Sequence, residues 1–413
     1  MNMKVNVKKG TIDEIKISRL NLTVKGAVIV VLEKQLEKKF IELKSVLDQY
    51  YQNNEVAYSF KTNNVPGICL TLKNLGAKAE VVSGFEYYLA KKIGFKSNEI
   101  IFNGPYKSDP ELEKALRGGS LVNINDSGEL KRVQQIAKKL KKTVFVGIRL
   151  NSRDWPSHFG FNIENKEALR VCREISKDNR IELKGLHMHV GFNVDTTDLY
   201  KNLAIKISDF ALKINERFNF ELTYLDMGGG FPAGGKPYGK KSWRLPAIED
   251  YVRVITDEVK IRFPEMNLKI ILEPGRFLVD EAVILIASVI ESKKKLRHQY
   301  LFVNTTLNQL PLVKYREQEV MGVRRDLRRK RKFFTKIYGV SCREDDVLVS
   351  KVRLPGLDAG DNVIFFNIGA YNIAWASQFC YPRPVVLMID KNNKIKTLRR
   401  EENYNDFIIR DVI

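Results

Sequence analysis

The sequence places a lysine where its amine could act as a nucleophile. Lys61 follows the short apolar run Val56–Phe60 and precedes a threonine and two asparagines. A lysine at the end of a buried strand points its amine into a polar loop, and a desolvated amine can attack an aldehyde to form a Schiff base. Most lysines just past a strand are simply solvated, so the catalytic interpretation of Lys61 depends on what the rest of the chain supplies.

Two later segments supply groups that an aldehyde-bearing phosphate cofactor needs. The glycines Gly228–Gly230 lack side chains, so a phosphate can approach their backbone N–H groups. Glu273 begins the segment Glu-Pro-Gly-Arg, and a carboxylate facing a pyridine nitrogen keeps that nitrogen protonated. Glycine runs also occur in plain loops, and Glu-Pro-Gly in plain turns. The two segments therefore predict a cofactor site only in combination with Lys61.

Two of the four histidines, His187 and His189, lie in one apolar run. Side chains alternate along a strand, so both face the same way, and at least one is expected at the mouth of a barrel. A metal pair is one interpretation, but no acidic or cysteine ligand accompanies them at close spacing. We favour an imidazole stacked on a flat cofactor, and we predict no metal.

Composition restricts the class of protein. A chain of 413 residues with 44% apolar residues can form two domains, or one barrel with a smaller unit. No apolar run reaches the length of a membrane span, and the N-terminus lacks the apolar core of a signal peptide, which predicts a cytoplasmic protein without a membrane partner. The four cysteines are far apart in the sequence, which argues against a zinc site and a disulfide scaffold.

The chain is strongly basic. Lys and Arg outnumber Asp and Glu by 70 to 49, which gives a net charge of +21 and a field that attracts anions. No nucleic-acid-binding motif accompanies this charge, so we predict no nucleic-acid partner. The basic run Arg324–Lys332 is either a solvated loop or a docking patch for an acidic carrier protein or a phosphate-bearing substrate.

Eight apolar runs alternate with helical patterns such as Gly84–Ile93 and Leu199–Phe218. Strands that alternate with helices indicate a parallel sheet, and eight units favour an α/β fold with a closed (β/α)8 TIM-type barrel over an open doubly wound sheet. In such a barrel, polar residues at the carboxyl ends of the strands form the active site. The eight runs are Val56–Phe60, Ala79–Val82, Ile100–Asn103, Leu121–Ile124, Val144–Arg149, Gly185–Val190, Thr223–Met227 and Lys269–Glu273.

The texture of the sequence changes beyond Phe277. The later β-branched runs lack helical spacing, which predicts a C-terminal β domain. We therefore predict a cofactor-binding barrel over residues 31–280 and a β domain over residues 281–413. Residues 1–30 are expected to pack with the β domain.

The joint order of these motifs resembles the pyridoxal-phosphate-dependent decarboxylases of the alanine-racemase-like family (fold type III). This family includes the diaminopimelate, ornithine and arginine decarboxylases. The resemblance runs from about residue 28 to about residue 390. The matching segments, in family order, are Tyr58–Asn64, Glu80–Glu86, Ile101–Ser108, His189–Gly191, Gly228–Pro232, Glu273–Arg276 and Gly369–Tyr371.

The resemblance implies a role for each matching residue. Lys61 would form a Schiff base with pyridoxal 5'-phosphate, and Glu273 would pair with the pyridine nitrogen of that cofactor. Glu80 and Arg149 would lie near Lys61, and His189 would stack on the ring. The contacts expected around the phosphate are Gly228, Gly229, Gly230, Gly275, Arg276 and Tyr371.

The segment Ser341–Asp346 resembles the family's Cys-Glu-Ser-Gly-Asp, which is contributed across a dimer interface. The resemblance thus implies a homodimer with shared active sites, in which Cys342 returns a proton to the substrate after CO₂ leaves. The family usually has an acidic residue after the cysteine, where this chain has Arg343. That change favours a substrate with a distal anion over a simple diamino acid, although Glu344 or Asp346 would still be able to bind an amine.

We therefore predict α-decarboxylation of an amino acid or of an amino-acid conjugate, either carrier- or nucleotide-linked. The region Asn304–Glu317 lacks the substrate arginine of diaminopimelate decarboxylases, which leaves the substrate open. One alternative is a racemase or epimerase with the same barrel and cofactor, against which the Cys342 segment argues. The other is a non-catalytic homologue that binds a partner protein, against which the intact Lys61, Gly228–Gly230 and Glu273 argue.

Overall fold

The computed structural model describes residues 26–240, 243–264, 268–324 and 332–412, with short pieces at 5–6, 11–12, 15–17 and 20. The chain divides into two compact units. The barrel unit comprises Phe40–Pro232 and Arg244–Phe277. The β unit comprises Met1–Lys39, Ala233–Trp243 and Leu278–Ile413. The domain boundaries expected from the sequence stay a prediction.

The first elements of the chain are strands. Three two-residue strands pair in antiparallel order, namely β1 (Val5–Asn6), β2 (Thr11–Ile12) and β3 (Ile15–Lys16). Strand β4 (Val28–Leu32) is buried along its whole length and leads directly into helix α1 (Glu33–Tyr50). Among the described residues, no helix combines the length and the apolar character that a membrane span requires.

In the described part of the barrel unit, eight parallel strands close into a barrel. Strand β13 pairs with β5, and β8 pairs with β9, so the sheet has no free edge between its first and last strands. This closure confirms the (β/α)8 prediction and excludes the open sheet. The strands are β5 (Asn54–Ser59), β6 (Lys78–Val81), β7 (Ile100–Phe102), β8 (Leu121–Ile124), β9 (Val144–Asn151), β11 (Ile181–Met188), β12 (Tyr224–Asp226) and β13 (Lys269–Leu272), with the short β10 (Phe161–Asn162) paired to β9.

Helices follow the barrel strands, and local signals fix their ends. The Ser83 hydroxyl and the Asp126 carboxylate each accept a hydrogen bond from a backbone N–H in the first turn of their helix. Gly94 and Gly119 end two helices in the left-handed conformation that favours glycine. The helices are α2 (Pro66–Asn74), α3 (Gly84–Ile93), α4 (Asp109–Gly118), α5 (Ser127–Leu140), α6 (Glu167–Ile175), α7 (Asp198–Phe218), α8 (Ile248–Arg262) and the short α9 (Arg276–Val279).

The β unit is built on a mixed sheet in the order β18-β17-β15-β14-β4-β20-β21, and β19 pairs with both β14 and β16. Residues of β4, β14, β19 and β20, among them Val30, Ile286 and Leu387, pack in one buried apolar cluster. The strands are β14 (Val283–Lys295), β15 (His298–Val303), β16 (Val320–Val323), β17 (Lys332–Tyr338), β18 (Val347–Pro355), β19 (Asn362–Phe365), β20 (Val385–Ile389) and β21 (Ile395–Arg399), and the short helices are α10 (Asn372–Trp375) and α11 (Tyr404–Ile408).

A fully buried ion pair lies within the barrel unit. Lys107 Nζ donates to both carboxylate oxygens of Glu129, at 2.9 and 3.1 Å, and neither side chain is exposed. The same amine donates to the carbonyl oxygens of Gly104 and Asn123. Burial lowers the pKa of Lys107, and the charge of Glu129 opposes this effect. The pair therefore connects the loop after β7 to strand β8 and to the first turn of α5.

We predict that Glu129→Gln destabilises the chain, because it leaves the buried Lys107 charge without its counter-charge. The expected loss in the free energy of unfolding is about 3–5 kcal/mol, measured by urea denaturation. The double variant Lys107→Met/Glu129→Leu should lose less, since it removes both charges together. Glu113→Gln is the matched control, because Glu113 pairs with Arg117 and Lys139 at the surface and should matter little. Equal losses at Glu113 and Glu129 would contradict this prediction.

Candidate active site

Polar side chains meet at the carboxyl ends of the barrel strands, because parallel strands of a closed barrel end at one rim. Lys61 lies in a short 3-10 turn, Phe60–Thr62, directly after β5. Its Nζ lies 2.6 Å from Oε2 of Glu80, on β6, and the same oxygen accepts the Ser59 hydroxyl at 2.5 Å. The Lys61 side chain is 34% exposed, and that of Glu80 only 1%. The amine is thus accessible while its counter-charge is buried.

Asn103 connects the two buried carboxylates of the site. Its Nδ2 donates to Glu80 Oε1 at 3.2 Å and to Glu273 Oε1 at 2.6 Å. Its Oδ1 accepts a hydrogen bond from Asn123, whose own Oδ1 accepts the Tyr224 hydroxyl. The sequence placed this asparagine among the polar residues at the strand ends but assigned it no role. Its position at the end of a barrel strand is the signal that identifies it.

Glu273 also faces His187 and Asp226. His187 Nε2 lies 3.4 Å from Glu273 Oε2, and polar atoms of all three buried side chains lie within 4.8 Å of one another. Burial raises the pKa of Asp226 well above its usual value, and the charge of Glu273 raises it further. Burial also acts to raise the pKa of Glu273, but His187, Lys61 and the neighbouring Asp226 hold it well below its ordinary value. Glu273 is therefore the ionised member of the pair.

The glycine segment forms a turn that no other residue fits. Gly228 and Gly230 have left-handed φ angles of 66° and 97°, and a Cβ atom on Gly229 would lie 2.2 Å from the carbonyl oxygen of Glu273. The N–H of Gly228 donates to Asp226 Oδ1 at 2.9 Å, and the N–H of Gly229 to His189 Nδ1 at 3.2 Å. These two amides are thus used inside the chain, and the phosphate contact expected for the whole segment stays a prediction. The absence of side chains at these glycines leaves space at the barrel rim next to Glu273.

His189 and Arg149 lie at the same rim. Burial, together with the positive charges of Lys61 and Arg149, lowers the pKa of His189 to about 3, so its imidazole is neutral. The Arg149 guanidinium lies 4.9 Å from the centroid of the Phe159 ring. Burial lowers the pKa of Arg149, while Glu273 and other carboxylates of the site oppose this effect. A neutral flat ring next to a cation is a suitable contact for an anionic aromatic ligand.

Gly275 brings the Glu-Pro-Gly-Arg segment against the turn that carries Lys61. A Cβ atom on Gly275 would lie 2.0 Å from Oγ1 of Thr62 and 3.3 Å from Cβ of Ser59. The Ser59 N–H also donates to the carbonyl oxygen of Pro274 at 3.3 Å. Two motifs that are more than two hundred residues apart in the chain are therefore in direct contact. Arg276 begins helix α9 immediately afterwards.

The other predicted site residues belong to the β unit. Asp346 is buried, and its carboxylate accepts hydrogen bonds from the Leu307 N–H at 2.7 Å and from the Ser341 N–H and hydroxyl at 2.9 and 2.6 Å. These contacts are those of a residue that stabilises its loop, in contrast to the substrate amine contact expected from the sequence. Tyr371 has a left-handed φ of 62° and its ring packs on Trp375.

The cysteine segment carries a cluster of opposite charges. Arg343 donates two hydrogen bonds to Asp345, at 2.8 and 2.7 Å, and Lys314 donates a third to the same carboxylate at 2.8 Å. Cys342 and Glu344 are exposed in the chain. Two cations thus share the carboxylate of Asp345 next to Cys342, and the exposed Glu344 balances the second positive charge of this surface. Residues 325–331 of the basic run lie outside the described residues, and its role stays a prediction.

The barrel rim fits pyridoxal phosphate. An accessible amine (Lys61), an ionised buried carboxylate (Glu273), a neutral flat ring (His189) and a turn in which a side chain would clash (Gly229) lie at one end of the barrel. These are an attachment point, a partner for a pyridine nitrogen, a stacking surface and room for a phosphate. The fit does not depend on any residue of the β unit.

Comparison with known families agrees with this geometry. Residues 33–280 match the family model described as "Pyridoxal-dependent decarboxylase, pyridoxal binding domain", and residues 276–369 match "Pyridoxal-dependent decarboxylase, C-terminal sheet domain". The chain therefore belongs to the pyridoxal-dependent decarboxylases, enzymes that use pyridoxal phosphate to remove the carboxyl group of an amino acid. This confirms the family, the fold, the cofactor and the enzyme class predicted from the sequence.

Within this family, the relatives found by sequence are named diaminopimelate decarboxylases. The chain is 30% identical to that of Aquifex aeolicus over 86% of this chain and 84% of the relative, and 26% identical to that of Archaeoglobus fulgidus over 96% of each. A crystal structure from Aquifex aeolicus superposes with a TM-score of 0.86 at 27% identity, and covers 99% of this chain and 98% of its own. The Methanocaldococcus jannaschii diaminopimelate decarboxylase, solved with L-lysine, has a TM-score of 0.89 at 24% identity and covers 100% of this chain and 98% of its own.

We predict that Gly275→Ala displaces the Lys61 turn, because the new methyl group would overlap Oγ1 of Thr62. The free energy of unfolding should fall by about 1–3 kcal/mol, and the bound cofactor should be lost more readily. The cost should be smaller in a Thr62→Ala background, because that change removes the clashing oxygen. A double-mutant cycle in denaturant measures this coupling. Additive effects of the two substitutions would show that the contact does not exist.

Proposed function

We propose that this chain catalyses α-decarboxylation with pyridoxal phosphate attached to Lys61. The observation that carries the proposal is the hydrogen-bond network that joins the Lys61 amine to Glu273 through Glu80 and Asn103. This network holds an accessible amine and a buried anion at fixed positions. A pyridine aldehyde requires this arrangement, because its aldehyde and its ring nitrogen lie at opposite ends of the ring. We also propose that the cofactor-binding barrel spans residues 31–280.

The chain's own residues would act as follows. When bound, the cofactor supplies an electron sink for the electrons released as CO₂ leaves. Glu80 would hold the Lys61 amine in place until the aldehyde of the cofactor binds. Glu273 keeps a positive charge on the ring nitrogen, and His189, being neutral, packs on the ring without competing for its proton. Arg149, the glycine turn and Arg276 supply positive charge and space for the phosphate.

We further propose that Cys342 returns the proton to the α-carbon of the substrate from its Sγ atom. Cys342 is exposed in a single chain, as expected for a group that works in a site shared with a second copy. The segment on which it lies is anchored internally by Asp346, so the thiol is presented on a fixed loop. Tyr371 would complete the phosphate contacts in the homodimer.

For the substrate, we propose an amino acid whose distal end carries an anion, either free or carrier- or nucleotide-linked. Arg343 and Lys314 support this proposal, because both pair with Asp345 at the surface, where an anion of the substrate can compete for them. A distal anion would bind these two side chains in place of Asp345. Diaminopimelate is the first compound to test, because the relatives are named after it and its distal end carries a carboxylate and an amine.

We predict that Lys61→Ala abolishes CO₂ release from the substrate, by about 1,000-fold or more in kcat, together with the visible absorbance of the bound cofactor. Lys61→Arg should fail equally, because it keeps the charge and lacks the primary amine. Lys114→Ala is the control, since Lys114 is an exposed lysine on α4. A Lys61→Ala enzyme with normal absorbance would refute the attachment. Exchange of enantiomers without CO₂ release would indicate a racemase.

Mixed dimers test whether Lys61 and Cys342 act in one shared site. Lys61→Ala and Cys342→Ser should each be inactive alone. After subunit exchange, activity should return, because a heterodimer with shared sites contains one site with both residues intact. No recovery after exchange that mass spectrometry verifies would show that the two residues do not meet across an interface.

We predict that Arg343→Glu changes substrate preference rather than the attachment of the cofactor. The ratio of kcat/KM for acid-ended over amine-ended substrates should fall by about tenfold or more, equivalent to ~1.4 kcal/mol. The screen should include diaminopimelate, glutamate, lysine, ornithine and a carrier-linked glutamate. Arg297→Glu makes the same charge change at another exposed position of the β unit and should leave the ratio unaltered. Turnover of free lysine or ornithine alone, which have no distal anion, would contradict the role of Arg343.

A further inference from the structure

Asp226, which ends strand β12, is a buried carboxyl group with only part of its bonding capacity used. Its side chain is fully buried, and Oδ1 accepts the N–H of Gly228 at 2.9 Å. Across the described residues, no donor reaches its other oxygen, Oδ2. Asp226 lies in the cluster with His187 and Glu273, in which polar atoms are within 4.8 Å of one another. The group is therefore adjacent to the proposed ring-nitrogen contact without being part of it.

Two carboxylates this close in a buried site cannot both carry a charge, because each disfavours the ionised form of the other. The charge of Glu273 is better stabilised, since the Asn103 side chain donates to one oxygen at 2.6 Å and the His187 imidazole lies 3.4 Å from the other. Asp226 has one backbone donor. The negative charge is therefore more stable on Glu273. The one proton that the two carboxyl groups share then lies on Asp226 Oδ2.

We propose that Asp226 is a positioning residue that remains protonated at neutral pH and donates its hydrogen to Glu273. It thereby adds a second donor to that of Asn103, and both stabilise the Glu273 anion beside the His187 ring. A stabilised anion attracts a proton less strongly, so a proton shared between Glu273 and a pyridine nitrogen stays on the nitrogen. This consequence rests on the proposed function, whereas the protonation of Asp226 does not.

The charged and titratable groups around Asp226 come from several strands. Glu273 follows β13, His187 is on β11, Glu80 is on β6 and Arg149 is on β9. Burial raises the pKa of Asp226, Glu273 and Glu80 raise it further, and the backbone hydrogen bond lowers it. Arg149 interacts with all three carboxylates. The geometry and the surrounding charges thus both assign the proton to Asp226.

The first test is the stability of the full-length chain with Asp226→Asn. A carboxyl group whose folded pKa is raised binds its proton more tightly when folded, so stability decreases as pH rises above the unfolded value of about 4. Asparagine has no proton to lose and can donate from Nδ2. The variant should therefore melt at a higher temperature than the wild type at neutral pH, with a difference that vanishes towards about pH 4. A lower melting temperature at neutral pH would mean that Asp226 is ionised, and would overturn the proposal.

Asp280→Asn is the matched control. Asp280 is equally buried, but it bonds to the Arg316 guanidinium at 2.5 and 3.2 Å. The same substitution there removes the counter-charge of a buried cation, so the melting temperature should fall. Opposite signs at the two positions would separate a protonated from an ionised buried carboxyl group.

Infrared spectroscopy detects the proton directly. The wild type at neutral pH should show the carbonyl band of a protonated carboxyl group. Asp226→Asn should lose intensity in this band, and Asp280→Asn should keep it; a residual band is expected from Glu86, whose pKa burial raises to about 7. A band of equal intensity in wild type and Asp226→Asn would contradict the assignment.

The last test reads the ring nitrogen of nitrogen-15-labelled pyridoxal phosphate by NMR. The wild type and Asp226→Asn should show a protonated nitrogen, whereas Asp226→Val, which has no donor, should shift towards the unprotonated form. An unchanged shift in Asp226→Val would refute the effect on the nitrogen. If that variant fails to fold, Asp226→Asn still decides through stability and the infrared band. Failure of the wild type to bind the label would contradict the proposed function and leave those two results standing.

Discussion

The site depends on the burial of negative charge at the barrel rim. Glu80 and Glu273 are 1% and 3% exposed, so their desolvation has to be offset by donors close at hand. One side chain, Asn103, donates to both carboxylates. In addition, the Lys61 amine donates to Glu80, and the His187 imidazole lies beside Glu273. Because each donor comes from a different strand, the barrel has to close before these charges are stable. The same closure that completes the sheet therefore completes the site.

Close backbone approach is the second constraint, and glycines make it feasible. Gly229 lies against the carbonyl oxygen of Glu273, and Gly275 lies against Thr62, next to Lys61. Any side chain at either position would push apart the two ends of the network. The glycine turn therefore serves the geometry of Glu273 as well as any ligand, since two of its N–H groups already bond to Asp226 and His189.

The β unit applies a different principle at its cysteine loop. The Asp346 carboxylate accepts three hydrogen bonds, from the Leu307 N–H and from the Ser341 N–H and hydroxyl, and these fix the backbone around Cys342. Asp345 lies at the surface and is shared by Arg343 and Lys314, so these contacts are exchangeable. A buried anion makes a rigid loop, whereas an exposed ion cluster can be replaced by a charged ligand. Substrate preference is expected to depend on the second.

The sequence by itself determined the order of the elements. Each of the eight barrel strands was predicted from its apolar run, and α3 was predicted with its observed bounds, Gly84–Ile93, because an amphipathic pattern and a terminal glycine are local signals. In the β unit, no apolar run predicted the strands β16, β17, β18 and β21. In β17, Lys332–Tyr338, the polar residues Thr335 and Lys336 separate two apolar pairs, so no continuous apolar run marks the strand.

For the site, the sequence determined Lys61, Glu273 and the glycine turn, because their residue types are required by the chemistry and lie in recognisable motifs. The tertiary structure alone decided how they connect. Asn103, His187 and Asp226 become important only once strands far apart in the chain place them around Glu273. Which of two neighbouring carboxyl groups holds a proton depends on distances and burial. Those quantities exist only after the barrel has closed.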